Sequence, residues 1–395
     1  MNLAHSARKG QSFSEPLFHF KDPVTGCEMR RLTDPGTHSH HPYFYMRLFT
    51  PDGKKLLYIS HRPGYPAAHL LDLESGASRQ LTDARDIDAF LLHLSPDGRS
   101  LYYCSGSKLF RRDIATLADT LVYEQKPPFD GRPVYPGYSV EGGLALLAQM
   151  HRDDVVSGKT GWEAWEPQWR KKPRCRLVLV DLETGKDKIV AEEEYWIGHP
   201  QIQNGKNTSL MYCHEGPGPL VDFRIWLVNA DGTNKRPVAI SRREKGEDFA
   251  GETVTHEYFT PDGKHAACAY LPPAPEPGRI MLIDPETSAL TDLGPVKTYL
   301  HFFHSEDGKT IVGDEGRPDA DGHKSIWLFN IASRRETQLC LHDSSLAPRG
   351  ASTQDAHPHP SFSPDGKHVV FSTDRETGPK GNCSVYLAST EGFFK

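Results

Sequence analysis

A short turn that recurs along the chain constrains its fold more than any other feature of the sequence. Each copy has the form Pro-Asp-Gly or a variant of it, and a short run of alternating apolar residues follows. The seven copies end at Gly53, Gly98, Gly142, Gly205, Gly263, Gly308 and Gly366. Such a turn before an alternating run is typical of a β-hairpin. The repetition therefore predicts a fold built from seven copies of one β unit.

A second repeated phrase predicts the remaining strands of the unit. It is an apolar strand that ends in an acidic turn, as at residues 71–76, 180–185 and 228–232, and a further strand usually follows it. Four strands per unit, at a spacing of roughly 45 residues, are the pattern of propeller blades. The sequence therefore predicts an all-β fold, a seven-bladed β-propeller that forms a single domain over residues 1–395.

The two ends of the chain carry incomplete copies of the unit. The second phrase occurs at residues 22–26 with no inner strands before it, and the last copy leaves little chain for an outer strand. We expect residues 27–32 to supply that strand and to close the ring, which removes free sheet edges.

An insertion at about residues 152–173 contains Trp162, Trp165 and Trp169. Their 3-4 spacing predicts one face of a short helix. An aromatic face packed on the rim of the fold is favoured over direct stacking on a sugar.

Composition excludes several classes of function. The net charge is −6 with both signs interspersed, which argues against nucleic acid as a partner. No apolar run approaches 18 residues and the N-terminal segment has no apolar centre, so neither membrane insertion nor secretion is indicated and a cytoplasmic location is expected. The seven cysteines are scattered without a C-x-x-C pair, which predicts reduced thiols.

The most metal-like cluster of the chain directly precedes the last turn. Gln354, His357 and His359 form a Gln-x-x-His-x-His run. On an extended strand, side chains two residues apart point to one face. An amide oxygen suits harder ions such as manganese or calcium. The run therefore predicts a metal site that a further imidazole would complete.

The position of His359, seven residues before the turn glycine, recurs in two other units, at His256 and His301. Equivalent places on the innermost strands of a propeller face one central channel, so these distant histidines can meet there. Other polar residues are expected at the same channel and are candidates for substrate binding: His41, Tyr43, His199 and His214. Arg224 could reach inward as a carboxylate clamp or form a structural ion pair.

Taken together, these motifs resemble the oligogalacturonate lyases, the seven-bladed propellers of polysaccharide lyase family 22. The resemblance runs from about residue 18 to residue 390 and keeps the order of the motifs. It rests on His-His-Pro-Tyr-Phe-Tyr, Gly-His-Pro, Cys-His-Glu-Gly-Pro, Leu-Val-Asp-x-Arg-x-Trp-Leu-Val-Asn, Thr-His-Glu and Gln-x-x-His-Pro-His-Pro-Ser-Phe. The family implies Mn²⁺, or another divalent cation, held by His301, Gln354, His357 and His359. It also implies that His256 and Arg224 act at the reacting sugar.

The substrate implied by the resemblance is a short, often Δ4,5-unsaturated oligogalacturonide from pectin. β-Elimination would release a 4-deoxy-5-keto uronate monosaccharide. A divalent cation stabilises the charge that grows on the C6 carboxylate, and a neutral His256 outside the metal shell would remove the C5 proton. Two alternatives stay open: a lyase or hydrolase for another uronate oligosaccharide, and a non-catalytic propeller that serves as a binding scaffold.

Overall fold

The computed structural model describes residues 8–130, 137–159, 162–248, 250–297, 299–349 and 352–393. Strands dominate this part of the chain. Three short strands come first: β1 (Ser12–Ser14), β2 (Phe18–Lys21) and β3 (Glu28–Arg31).

Seven antiparallel sheets follow in chain order, each with a run of consecutive strands, to which β1 adds in the first sheet and β2 and β3 add in the last. The strands of the first four sheets are β4 (Ser39–His40), β5 (Lys55–Ser60), β6 (Ala67–Asp72) and β7 (Ala77–Gln80); β8 (His93–Leu94), β9 (Ser100–Ser105), β10 (Lys108–Asp113) and β11 (Asp119–Glu124); β12 (Tyr138–Glu141), β13 (Leu144–Met150), β14 (Cys175–Asp181) and β15 (Asp187–Glu193); β16 (Ile197–Ile202), β17 (Ser209–His214), β18 (Ile225–Asn229) and β19 (Arg236–Val238).

The strands of the last three sheets are β20 (Thr253–Phe259), β21 (Ala266–Leu271), β22 (Gly278–Ile283) and β23 (Leu290–Val296); β24 (Tyr299–His304), β25 (Thr310–Glu315), β26 (Ser325–Asn330) and β27 (Arg335–Leu341); β28 (Ser361–Phe362), β29 (His368–Thr373) and β30 (Ser384–Ser389). Seven successive sheets of this kind form a seven-bladed β-propeller. The predicted fold class is confirmed.

The recurring turn is stabilised by side-chain hydrogen bonds as well as by its glycine. In the first copy the Thr50 hydroxyl donates to the Asp52 carboxylate at 2.6 Å, and the Lys54 N–H donates to the same oxygen at 3.1 Å. Gly53 completes the turn with a φ of 68°, which glycine adopts without strain. The same Ser/Thr and Asp pair recurs in the turns at Asp97, Asp262, Asp307 and Asp365. In these five of the seven copies the turn is therefore a self-contained local structure that the copy specifies on its own, whereas the copies ending at Gly142 and Gly205 have Glu141 and Asn204 in place of the aspartate.

The N-terminal strands complete the last blade, as predicted from residues 27–32. β3 pairs antiparallel with β30, with Met29 opposite Ala388, and β2 adds a fifth strand outside β3. Met29 is buried in the same apolar cluster as Val369. The sequence did not predict β1, which pairs with β7 and widens the first blade to five strands.

Helix α1 (Trp162–Lys171) lies inside the 152–173 segment. Three 3₁₀ turns, Arg152–Asp154, Gly218–Leu220 and Arg243–Lys245, complete the helical segments of the described chain. Trp165 and Trp169 pack against the apolar cluster of the third and fourth sheets, and the ring centroids of Trp165 and Trp196 are 5.9 Å apart. The side chain of Trp162 lies outside the described residues. The tryptophans of α1 whose side chains are described therefore serve packing.

The chain divides into two compact units. Unit 1 comprises Met1–Ser105, Arg111–Thr120 and Leu300–Lys395, and unit 2 comprises Gly106–Phe110 and Leu121–Tyr299. That the whole chain is one domain stays a prediction. All seven cysteines are buried and free, as expected for reduced thiols.

Candidate active site

Three histidines converge in unit 1. His301 lies in β24, whereas His357 and His359 lie in the segment that leads into β28. One ring nitrogen from each lies within 4.8 Å of the others, and the ring centroids of His301 and His359 are 4.2 Å apart. All three side chains are buried. The third imidazole that the sequence required is thus brought to the Gln-x-x-His-x-His run.

The run itself is not the extended strand that was expected. The His357 N–H donates to the Gln354 carbonyl at 2.9 Å in a turn, and His359 adopts a left-handed φ of 48°. Prolines 358 and 360 lack the N–H groups that a strand ladder needs. The expectation of strand alternation is therefore wrong, and the two imidazoles approach each other through this turn instead.

The remaining donors fit a cation. The Oε1 atom of Gln354 lies 3.2 Å from His359 Nε2. His301 Nδ1 lies 3.0 Å from the Asp314 carboxylate, and donation of the Nδ1 proton to Asp314 makes Nε2 the nitrogen that can coordinate a metal ion. Burial raises the pKa of Asp314 to about 6.

His357 carries the clearest sign of a missing partner. Its Nδ1 atom is buried and has no hydrogen-bond partner among the described residues. Burial, and next the neighbouring His301, lower the pKa of His357 to about 3. A neutral buried imidazole with a bare nitrogen is the form that binds a metal ion.

His41 and Tyr43 lie beside this histidine centre. The ring centroid of Tyr43 is 4.7 Å from that of His359, and the His41 ring is 6.5 Å from it. Both side chains are buried, and His41 Nε2 lies 3.1 Å from the carbonyl of Pro358, between the two histidines of the run. The structure thus brings these two candidate substrate-binding residues to the centre, while their role in binding substrate stays a prediction.

Unit 2 contains a buried charge network around Arg224. The guanidinium is 2.9 Å from the Glu215 carboxylate and 3.1 Å from the Glu257 carboxylate. Burial alone would raise the pKa of Glu257, but Arg224 and His199 beside it bring that pKa well below its ordinary value. Arg224 was expected either to bind a substrate carboxylate or to form a structural ion pair. Its contacts within unit 2 are those of a buried ion pair.

Sequence reasoning missed Glu215 and Glu257 as members of this network. A signal was present, because each follows a histidine in a motif that had been singled out, Cys-His-Glu and Thr-His-Glu. His199 joins them, with Nδ1 3.0 Å from a Glu257 oxygen.

His199 and His256 share a backbone irregularity. Strand β16 shifts register between Gly198 and Gln201, and β20 shifts between Thr255 and Tyr258. The φ angles of His199 and His256 are 47° and 56°. Left-handed backbone in non-glycine residues carries strain and clusters at functional sites. His256 is also partly exposed, unlike the buried His199.

His214 lies in a separate buried arrangement of unit 2. Its Nδ1 is 2.8 Å from Asp222, and its ring stacks on Tyr195 at 4.3 Å. Burial alone would lower the pKa of His214, but hydrogen bonds to Asp222 and Glu193 raise it. The side chain therefore has partners of its own, and its assignment to substrate binding stays a prediction.

The fold and the site together define a seven-bladed propeller enzyme with a buried group of histidines of the kind that binds a metal ion. A family model for oligogalacturonate lyase matches residues 7–391. The chain belongs to the oligogalacturonate lyase family and is a lyase.

Individual relatives agree with this assignment. The oligogalacturonate lyase of Dickeya dadantii is 32% identical over 394 residues, covering 96% of this chain and 97% of the relative. A solved structure of oligogalacturonate lyase in complex with manganese has a TM-score of 0.88 at 33% identity and covers 97% of this chain and 98% of its own. The oligogalacturonate lyase structure from Vibrio parahaemolyticus also has a TM-score of 0.88, at 29% identity, and covers 98% of this chain and 100% of its own.

The described part of the chain contains no helix that is long and apolar enough to cross a membrane. The cytoplasmic location stays a prediction.

Proposed function

We propose that this chain cleaves short oligogalacturonides, the acidic oligosaccharides of pectin, by metal-assisted β-elimination across C4–C5. The observation that carries the proposal is the convergence of three buried imidazoles and the Gln354 oxygen in unit 1. The family supports it, because one relative of known structure is described in complex with manganese.

Four residues would hold the ion: His301, Gln354, His357 and His359. When bound, manganese or another divalent cation supplies Lewis-acid stabilisation to the charge that grows on the C6 carboxylate. Asp314 fixes the His301 tautomer that presents Nε2. The bare buried nitrogen of His357 supports its place in this set.

His256 is the proposed base that removes the C5 proton. Its left-handed backbone at the β20 bulge and its partial exposure support this role. No group of candidate metal ligands among the described residues includes His256, which supports a role outside the metal shell. A positioned base contributes about 10²–10⁴-fold in rate.

Arg224 is the second proposed catalytic residue. The contacts to Glu215 and Glu257 use three of the five N–H donors of its guanidinium, so contact with a substrate carboxylate would not require the loss of either glutamate. We also propose that Arg224 fixes Glu257, the residue that follows His256 in β20.

Four residues are proposed to bind substrate. His41 and Tyr43 have the better support, because both lie against the histidine centre. His199 borders the Arg224 network. His214 has the weakest support, because its side chain is buried and paired with Asp222.

Incubation of saturated and Δ4,5-unsaturated digalacturonate with the enzyme and Mn²⁺ tests the reaction class. Elimination conserves the summed mass of the dimer, whereas hydrolysis adds one water. The unsaturated dimer should yield two keto uronates and lose its ultraviolet absorbance. Products that carry added water would indicate a hydrolase. Turnover of only glucuronate or alginate dimers would mean that the substrate is another uronate. Failure to turn over any uronate would favour the binding scaffold.

A further inference from the structure

A second cluster of histidines lies in unit 1, and none of its members belongs to the proposed lyase ligands. It consists of His38, His40, His61 and Asp355, and one possible ligand atom from each lies within 4.8 Å of the others. His40 ends β4 and His61 follows β5. His38, His40 and Asp355 are buried, and His61 is partly buried.

Two of these histidines offer bare ring nitrogens. His40 Nδ1 lies 3.1 Å from the His41 carbonyl and can donate its proton there, which leaves Nε2 as an acceptor. The Nε2 atoms of His40 and His61 are both buried and have no hydrogen-bond partner among the described residues. A buried polar atom without a hydrogen-bond partner destabilises the fold. Burial lowers the pKa of His40 to about 4 and that of His61 to about 3, so both rings are neutral.

Asp355 supplies a carboxylate that hydrogen bonds hold in place. The backbone N–H of Cys383 donates to His38 Nδ1 at 3.0 Å, so the proton of the neutral His38 ring lies on Nε2. That Nε2 donates to Asp355 Oδ2 at 2.9 Å. The other oxygen, Oδ1, accepts a hydrogen bond from the Ser352 hydroxyl and lies 3.9 Å from His40 Nε2. His38 therefore orients the carboxylate toward His40.

We propose that His40, His61 and Asp355 bind a second divalent transition-metal ion, with His38 as the residue that positions Asp355. Two imidazoles and one carboxylate form a ligand set that zinc and iron(II) sites use, and hydrogen bonds behind the ligands are a regular part of such sites. Ligand atoms around a tetrahedral zinc ion are roughly 3.3 Å apart, as zinc–nitrogen bonds of about 2.0–2.1 Å require. The ligand atoms of this cluster therefore need to approach one another by only a small side-chain movement to bind an ion.

One neighbouring charge opposes the binding of a cation. The positive charge of Arg349 contributes to the lowered pKa values of both His40 and His61. We therefore expect the second site to bind its ion more weakly than a site without such a cation. The competing explanation is a polar cluster without metal, in which Arg349 balances the Asp355 charge.

The second ion would stabilise the segment that carries the lyase ligands, an inference that rests on the proposed function. Asp355 follows Gln354 in the chain and precedes His357 by two residues. An ion shared by Asp355, His40 and His61 would fasten this segment to the ends of β4 and β5. Loss of the second ion should therefore weaken metal binding at the first site.

Metal counting on the full chain tests the second site. Metal-free protein is dialysed against Zn²⁺, and bound zinc is counted by mass spectrometry in wild type, His61→Gln and His69→Gln. His69 is the matched control, because it is also a buried histidine with an unpartnered Nε2 in the first blade but lies outside the cluster. We expect two ions in wild type and His69→Gln and one in His61→Gln. One ion in wild type, or equal counts in the two variants, would overturn the proposal.

Two further variants separate this site from the first. Asp355→Asn keeps an oxygen that can accept the His38 hydrogen bond but removes the charge, and it should lose the same ion as His61→Gln. His357→Ala should keep the His61-dependent ion and lose the other. If His357→Ala keeps both ions, the proposed lyase site is wrong while the second site stands. If Asp355→Asn folds and still binds two ions, the second site is wrong.

Discussion

Three histidines among the described residues adopt a left-handed backbone that residues other than glycine rarely adopt. His199, His256 and His359 have φ angles between 47° and 56°, and each lies shortly before the recurring turn of its blade. Such conformations cost about 1–2 kcal/mol each, so the surrounding structure must impose them. The seven-residue spacing indicated His256 and His359, and the Gly-His-Pro motif indicated His199. Neither could indicate the register shifts of β16 and β20 at His199 and His256.

His256 should behave as a base and not as a ligand. His256→Asn keeps a residue that tolerates left-handed backbone but removes the basic nitrogen. We expect normal manganese binding, retained binding of oligogalacturonate, and a loss of turnover of at least about a hundredfold. Metal content, substrate binding and kcat measured on one preparation check this.

Two results would contradict the role of His256. Loss of the metal would move His256 into the ligand set. Near-normal turnover would mean that another group removes the C5 proton.

Glu257 should make stability depend on pH. Its pKa is depressed in the folded protein, so the ionised carboxylate stabilises the fold at neutral pH, and this contribution is lost as pH falls below the unfolded pKa of about 4.3. Glu257→Gln should lower the free energy of unfolding by roughly 3–5 kcal/mol at pH 7, because Arg224 loses a buried partner. The difference from wild type should shrink in acid. Chemical unfolding at several pH values checks this, and a difference that stays constant down to pH 3 would contradict it.

At the scale of single elements, a substitution in helix α1 can distinguish a role in packing from a role in substrate contact. Trp165 packs against the third and fourth sheets. Trp165→Ala should therefore lower the free energy of unfolding by roughly 2–3 kcal/mol, less than the 3–5 kcal/mol for a fully buried tryptophan, and leave KM unchanged. Glu163→Ala, an exposed change on the same helix, is the control. A raised KM with unchanged stability would instead favour stacking on the sugar.

An element could be predicted from the sequence where the interactions that form it lie within a few residues of one another. The turn that contains Asp52 is predictable because its hydrogen bonds lie within a few residues. Strand β1 was missed because it is only three residues long and depends on pairing with β7. The run from Gln354 to His359 was given the wrong conformation because Pro358 and the following Pro360 matter more than the alternation of its histidines.

At the scale of the whole molecule, the two ends of the chain meet in one sheet. Met29, from the N-terminal part, is buried in the core of the last blade. Met29→Ala should cost about 2–5 kcal/mol of stability, whereas Val24→Ala, at a residue that is 58% exposed, should change it by less than about 0.5 kcal/mol. Thermal or chemical unfolding of the two variants checks this. Equal stabilities would mean that the N-terminal strands add little to the blade.

The candidate site was predictable to a similar, limited extent. Spacing alone identified His301 and His359 as equivalent positions, and the family resemblance indicated the remaining ligands. The carboxylates that pair with site residues, Asp314 with His301 and Glu257 with Arg224, were not predicted, because their partners are distant in sequence or were not recognised as partners. Hydrogen bonding to a histidine depends on the folded arrangement, and a single sequence does not reveal it.

The central claim is that His301, Gln354, His357 and His359 hold the ion that the elimination requires. The most direct test is to measure bound manganese and turnover of digalacturonate together in wild type, His357→Ala and His359→Ala, with circular dichroism to monitor the fold. Each variant should bind one manganese ion fewer than wild type, lose elimination and remain folded. A folded variant with the full wild-type complement of manganese would contradict the ligand assignment.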